Sequence, residues 1–312
     1  METLLLNAAI RLLEQNIALQ KGERVSVVTD RKSCAIFEAV CSAVRLLGGK
    51  LTSIKISRKR EHSEPLPKLA RIFNQSNVII GITDKSISHC PETRIARKRH
   101  GARVITMVEV DKALFLKAMK ASIKRINAIG ERLEKKLKKT RKIRIQTPSG
   151  TNASINVIRD SVGIDDGNST KKGALNNLPF GELSMAPVNV VDGVISIDFS
   201  RICPKQKNNA KLVLNKGKIV GWNKKAERLV NYLWKAGGEK ALSAVEFSFG
   251  INPAHKELLR KIIHDEKIFG SAHIAFGGYG NKRKCRIHED LVLLKPTVFF
   301  DKTLVIKSGK IL

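Results

Sequence analysis

The stretch Val78-Ile79-Ile80-Gly81-Ile82 decides the fold; helical patterns at Lys68–Phe73 and Pro91–His100 flank it, and Arg103-Val104-Ile105-Thr106-Met107 follows. An apolar run without alternation reads as a strand covered on both faces, which points to a parallel sheet rather than a half-solvated hairpin. Gly101 stands where the helix after it should stop. The same texture extends upstream. Helical spacing from Leu4 to Leu19 ends at Lys21-Gly22 before the strand run Arg24–Val28, Cys34–Leu47 reads helical up to Gly48-Gly49, and Leu51–Ile56 reads as strand. Alternating helices and short apolar strands make an α/β domain with a parallel sheet.

Downstream the pattern changes. Asp111–Leu137 reads as one long basic helix, and residues 131–144 hold eight Lys or Arg against two Glu, the texture of a linker. After Thr147-Pro148-Ser149-Gly150 come paired strands at Val194–Phe199 and Lys211–Leu214, a turn at Asn215-Lys216-Gly217-Lys218, then Ile219-Val220. Helices are expected there only at Ala226–Ala236 and Pro253–Ile263. The expected organisation is an N-terminal parallel α/β domain over residues 1–147 and a strand-rich α+β domain over residues 148–312, the latter carrying a metal site.

With 312 residues, 42% hydrophobic and 28% charged, 22 Gly and 9 Pro, the chain is ordinary in everything but charge, and collagenous or disordered readings fail. A net charge of +30 invites a nucleic-acid or acidic-partner reading. The excess is diffuse, however: residues 1–147 hold 32 Lys or Arg against 13 acids, residues 148–312 hold 26 against 15, and the first part has no Trp or Tyr on which bases would stack. The dense run Lys135–Lys142 suits a solvated helix end. A non-catalytic basic binding protein is therefore a minor alternative, and nucleic acid is not an expected partner. Five scattered cysteines without a CxxC pair suggest reduced thiols. No apolar run approaches the ~20 residues of a membrane span, and the start does not read as a signal peptide. A cytoplasmic protein without membrane association is expected.

Four of the seven histidines fall within residues 255–288. In His288-Glu289-Asp290, ahead of Leu291-Val292-Leu293-Leu294, strand alternation puts His288 and Asp290 on one face and Glu289 on the other. An imidazole beside a carboxylate is half of a site for zinc, manganese, cobalt or iron. His273 lies among small residues in Gly270-Ser271-Ala272-His273-Ile274-Ala275-Phe276-Gly277-Gly278, with room for a ligand. Glu246, set in Ala244-Val245-Glu246-Phe247-Ser248-Phe249-Gly250, is an acid in an apolar strand that needs a cation, a partner or a proton. Glu182 closes the polar turn Asn176-Asn177-Leu178-Pro179-Phe180-Gly181-Glu182.

Taken in order, these stretches resemble the aminopeptidase T family of thermophilic metallopeptidases. The likeness runs from Asn177–Glu182 with Ala186-Pro187 and Asp192-Gly193-Val194, through Glu246–Asn252 and Asp265-Glu266-Lys267, to Gly270, His273–Gly277 and His288–Asp290. In the first domain Lys21-Gly22-Glu23, Ser88-His89, Ala96 and Gly101-Ala102-Arg103 continue it. The resemblance implies two divalent metals (zinc, cobalt or manganese) held by Glu182, Glu246, His273, His288 and Asp290. It implies a homodimer and hydrolysis of a peptide or small amide at its amino end by metal-activated water. Glu246 would bridge the metals. Glu246 and Tyr279 are the expected catalytic residues, although the family's tyrosine falls one position later, where this chain has Gly280. Lys282-Arg283-Lys284-Cys285-Arg286, between the two histidines, would favour an anionic substrate. The rival enzyme is a non-haem iron ring-cleaving dioxygenase, because a dihydroxypyridine dioxygenase branch is similar in fold and His273, His288 and Asp290 alone make a two-histidine, one-carboxylate iron(II) triad. The presence of Glu182 and Glu246 tips the sequence reading to two metals and hydrolysis.

Overall fold

The computed structural model describes residues 2–312 except 61, 62, 187, 189, 204–209 and 280–282; the side chains of 279, 283, 284 and 286 also lie outside the described set. The chain forms two compact units, Met1–Ile123 with Asp165–Phe180, and Lys124–Ile164 with Gly181–Leu312. It is a mixed α/β fold, with one parallel sheet in the first unit and antiparallel, strand-rich sheets in the second.

In the first unit α1 (Glu2–Arg11), β1 (Arg24–Thr29), α2 (Ala35–Leu46), β2 (Lys50–Lys55), α3 (Ala70–Gln75), β3 (Val78–Thr83), α4 (Pro91–His100), β4 (Arg103–Val108) and α5 (Lys112–Ala118) follow one another. The strands order as β2-β1-β3-β4 and pair in parallel, and β3 is buried at every position, as an apolar run covered by helices should be. Gly101 ends α4 in the left-handed conformation, φ 73°.

Three expectations are corrected. The single helix over 111–137 is two, because Asp111 caps α5 through a 2.8 Å bond from Leu114 N, the chain turns at 119–121, and α6 (Ile123–Leu137) starts afresh after Ser122. The end of the basic run is not linker: β5 (Lys142–Gln146) alternates exposed Lys142, Arg144 and Gln146 with buried Ile143 and Ile145. The helix expected at Pro253–Ile263 is absent. The Asn252 side chain takes the Ala254 amide in a turn, and Arg260 adopts φ 58°, which breaks helical continuity; only the short α8 (Ile262–Asp265) forms.

After β5 come β6 (Asn152–Asn156), β7 (Val162–Asp165), β8 (Leu175–Asn177), β9 (Glu182–Met185), β10 (Val191–Ile197), β11 (Phe199–Ser200), β12 (Ala210–Asn215), β13 (Lys218–Trp222), α7 (Glu227–Gly237), β14 (Ala244–Gly250), β15 (Ala272–Tyr279), β16 (Arg283–Leu293), β17 (Thr297–Phe300), β18 (Thr303–Lys307) and β19 (Lys310–Ile311). The short β8 belongs to the first unit, where it extends the parallel sheet beside β4. The second unit holds two sheets, ordered β13-β12-β10-β6-β5-β17-β18-β19 and β11-β16-β15-β14-β9-β7. Phe249 of β14 meets Phe300 of β17 at 5.9 Å between ring centroids, tying the two sheets through aromatic area.

Candidate metal centre

The second of these sheets has two unlike faces. On β14, Val245, Phe247 and Phe249 point one way, and Phe247 and Phe249 stack edge to face at 5.1 Å. Glu246 and Ser248 point the other way. Register then builds the centre: Ala275 of β15 lies between Glu246 of β14 and Asp290 of β16, Gly277 lies opposite His288, and His273 lies opposite Ser248. The small Ala275 and Gly277 leave space among the larger donors. Glycine is required at 277, where φ is 107° and a Cβ would stand 2.3 Å from the Ile287 carbonyl oxygen. Glu182 enters from β9 opposite Gly250; its neighbour Gly181, φ 109°, admits no side chain because a Cβ would meet Asn252 at 2.5 Å.

The five side chains singled out in the sequence stand together. His273 Nε2 is 3.4 Å from Glu182 Oε1 and 4.0 Å from Asp290 Oδ1; His288 Nε2 is 3.3 Å from Asp290 Oδ1 and 3.5 Å from Glu246 Oε2. Ser248 donates to Glu246 Oε1 at 3.0 Å. Glu289 turns to the opposite face, as strand alternation requires, and pairs there with Arg201 and the Ile202 amide. Two further residues join the centre, Glu266 and Lys267. Lys267 Nζ donates to Glu182 and, at 2.8 Å, to Glu266 Oε1. The string Asp265-Glu266-Lys267 was visible in the sequence, but a search for metal ligands passes over an ammonium. Asp192 and Gly193 serve structure instead: Asp192 accepts the Lys216 amide at 2.6 Å, and Gly193 passes close to Asn152. Tyr279 and most of Lys282–Arg286 lie, in their side chains, outside the described residues.

The electrostatics are those of a pocket short of positive charge. Burial, then the neighbouring Glu182, push Glu246 up to about 8. Burial also raises Glu182, but Lys267 and His273 outweigh it and hold that carboxyl well below its usual range. Burial pulls His273 down, yet Glu182 and Asp290 carry it up to about 9; His288 is raised well above its ordinary value against burial, chiefly by Asp290. Burial raises Asp290, and His288 and His273 more than reverse this. Imidazoles raised by carboxylates are the mark of a site that prefers a cation.

The donors suit a metal ion. Three of the four spacings, 3.3–3.5 Å, exceed good hydrogen bonds and match donors each ~2.1 Å from one shared ion, which stand ~3–3.5 Å apart; the His273–Asp290 spacing is wider at 4.0 Å. His288 Nδ1 bonds the Gly278 carbonyl at 2.8 Å, which orients the ring and aims Nε2 at the carboxylates. Glu182, Glu246 and His273 form one compact donor group, and Glu266, His273 and Asp290 another. The chain fits a metal-binding role. Among the described residues no helix is long and apolar enough to cross a membrane.

Among solved structures, the chain is similar to 2,5-dihydroxypyridine dioxygenase from Pseudomonas putida, with a TM-score of 0.83, 16% identity, and 100% of this chain and 98% of that one covered. It is also similar to wild-type AmpT from Thermus thermophilus, with a TM-score of 0.67, 15% identity, and 99% of each chain covered. At these identities both likenesses establish the fold. Among curated proteins, none matches. The family model overturns the aminopeptidase T resemblance, and with it the expected peptide hydrolase, its protease class and its peptide substrate: the five donors that suggested hydrolysis belong to a dioxygenase fold family. The model of NicX, 2,5-dihydroxypyridine 5,6-dioxygenase, matches residues 6–312, and the chain belongs to that family.

Proposed function

We propose that the protein is an iron(II) dioxygenase that opens a dihydroxylated pyridine ring, with a single metal ion held by His273, His288 and Asp290. The observation that carries this reading is that Asp290 Oδ1 faces an imidazole from each of the paired strands β15 and β16, His273 Nε2 at 4.0 Å and His288 Nε2 at 3.3 Å, in a chain of a dioxygenase family. Two imidazoles and one carboxylate leave coordination positions for substrate and oxygen. When bound, iron(II) would hold the ring and dioxygen side by side and relay to the oxygen the electrons that the electron-rich ring itself supplies.

The chain's own side chains then have defined tasks. The Gly278 carbonyl fixes the His288 ring, and Ser248 fixes Glu246. Glu246, 3.5 Å from His288, is the carboxyl group placed to take a proton from a substrate hydroxyl and to return it to the opened product. Glu182, tied to Lys267, balances charge beside His273. The side chain of His288 is 36% exposed while that of His273 is 1% exposed. The five free cysteines support a reducing, cytoplasmic setting.

The test is to load the metal-free protein with iron(II) under anaerobic conditions, add 2,5-dihydroxypyridine, and admit oxygen. Uptake of one dioxygen per ring consumed is expected, abolished by a chelator and in Asp290→Ala. Protein that carries iron yet consumes neither oxygen nor ring would sink the proposal.

A further inference from the structure

Lys267 is 1% exposed, and it lies in the turn between α8 and β15 with its ammonium on two carboxylates, Glu182 and Glu266. Those carboxylates come from different donor groups: Glu182 stands with Glu246 and His273, Glu266 with His273 and Asp290. Four carboxyl groups and two imidazoles in one buried pocket are the inventory of a two-cation centre, in which two ions ~3.5–4 Å apart share a carboxylate. The ammonium holds one oxygen of each of its two carboxylates, Glu182 Oε2 and Glu266 Oε1, so a second ion drawing on these acids would have to displace it or sit directly beside it.

Removing a buried ammonium from its partners is costly, because it has no water to go to. Any dication approaching the same oxygens also meets like charge at short range. With Glu182 and Glu266 engaged, the donors left are His273, His288, Asp290 and Glu246.

We infer that Lys267 is a built-in positive charge standing in for a second metal ion, so that a donor set rich enough for two cations takes one. The inference rests on the single-metal reading above and deepens it: the lysine, acting as a positioning residue, sets the metal count and so separates one-metal ring opening from two-metal chemistry. The lysine does not touch the reacting atoms; it occupies one oxygen of each of two carboxylates, sets a positive charge where a second ion would sit, and leaves Glu182 Oε1 facing His273.

Metal-free protein titrated with manganese(II), then desalted and analysed for metal, gives the count per chain; electron paramagnetic resonance separates an isolated ion from a coupled pair. One ion per wild-type chain at saturation is expected, with an isolated-ion spectrum, and two per chain in Lys267→Met, with a coupled spectrum. One ion in both proteins overturns the role of Lys267 and leaves the single-metal reading standing. Two ions in the wild type overturn both. Lys267→Gln, which keeps a donor for Glu182 without the charge, carries the same test with the same outcomes where the methionine variant does not fold.

Discussion

Strands β3 and β14 are both buried along their whole length, and they use that burial differently. In β3, Val-Ile-Ile-Gly-Ile-Thr lies between β1 and β4 and gives both faces to apolar packing. In β14, one face carries Val245, Phe247 and Phe249 against aromatic neighbours, while the other holds Glu246 and Ser248 in the metal centre. Burial stabilises the first strand twice over. In the second, one face stabilises and the other retains a carboxyl group at a cost, the usual trade of stability for reactivity.

The largest break in that contrast comes from Glu246→Gln. On the proposed mechanism it removes the proton-carrying group, so kcat should fall about 10²–10⁴-fold, while the metal-free protein melts at a higher temperature above pH 8, where the native carboxyl would be charged and buried. A variant that loses stability and keeps its turnover would contradict the division of labour. Ile80→Ala, at a fully buried site in β3, is the reverse experiment. It should cost about 2–5 kcal/mol in denaturant unfolding and leave iron affinity unchanged; an altered affinity would show that the strand is not purely structural.

The third effect is smaller and concerns pH. Glu246 rises from its usual 4.5 to about 8, and His273 from 6.5 to about 9, so between these limits the folded metal-free protein holds protons that the unfolded chain has released. Stability then falls with rising pH. The His273 contribution is whole below 6.5 and gone above about 9, and the burial cost of Glu246 is absent below 4.5 and complete above about 8. Metal-free protein should therefore lose several degrees of Tm between pH 6 and 9, and saturating metal should flatten the slope. A Tm that rises over this interval in the metal-free protein would refute the assignment.

What the sequence made legible follows the same contrast. An unbroken apolar run such as Val78–Ile82 between helical patterns has few alternatives, so β3 and its parallel neighbours could be read directly. The short β8 could not: Leu175-Asn176-Asn177 has no period of its own, and it is a strand because β4 offers an edge to pair with. The alternation Lys142-Ile143-Arg144-Ile145-Gln146 is a strand signal, but it lies inside a run whose charge density has the texture of a linker. In the centre, Glu182, Glu246, His273, His288 and Asp290 could be named from residue type and strand alternation. The chemistry could not, since carboxylates and imidazoles of these types can hold one metal or two. In the single-metal proposal the deciding residue is Lys267, whose meaning depends on Glu182, 85 positions earlier in the chain, being folded against it.

The two-faced use of His288-Glu289-Asp290 also bears on how β16 finds its partner. A slip of one residue along β15 would turn Glu289 inwards, carry both His288 and Asp290 to the side of Arg201, and leave a lone carboxylate where an imidazole and a carboxylate belong. Every wrong odd register is thus penalised on both faces at once. The residues that give the centre its donors also proofread the alignment of the hairpin that carries them.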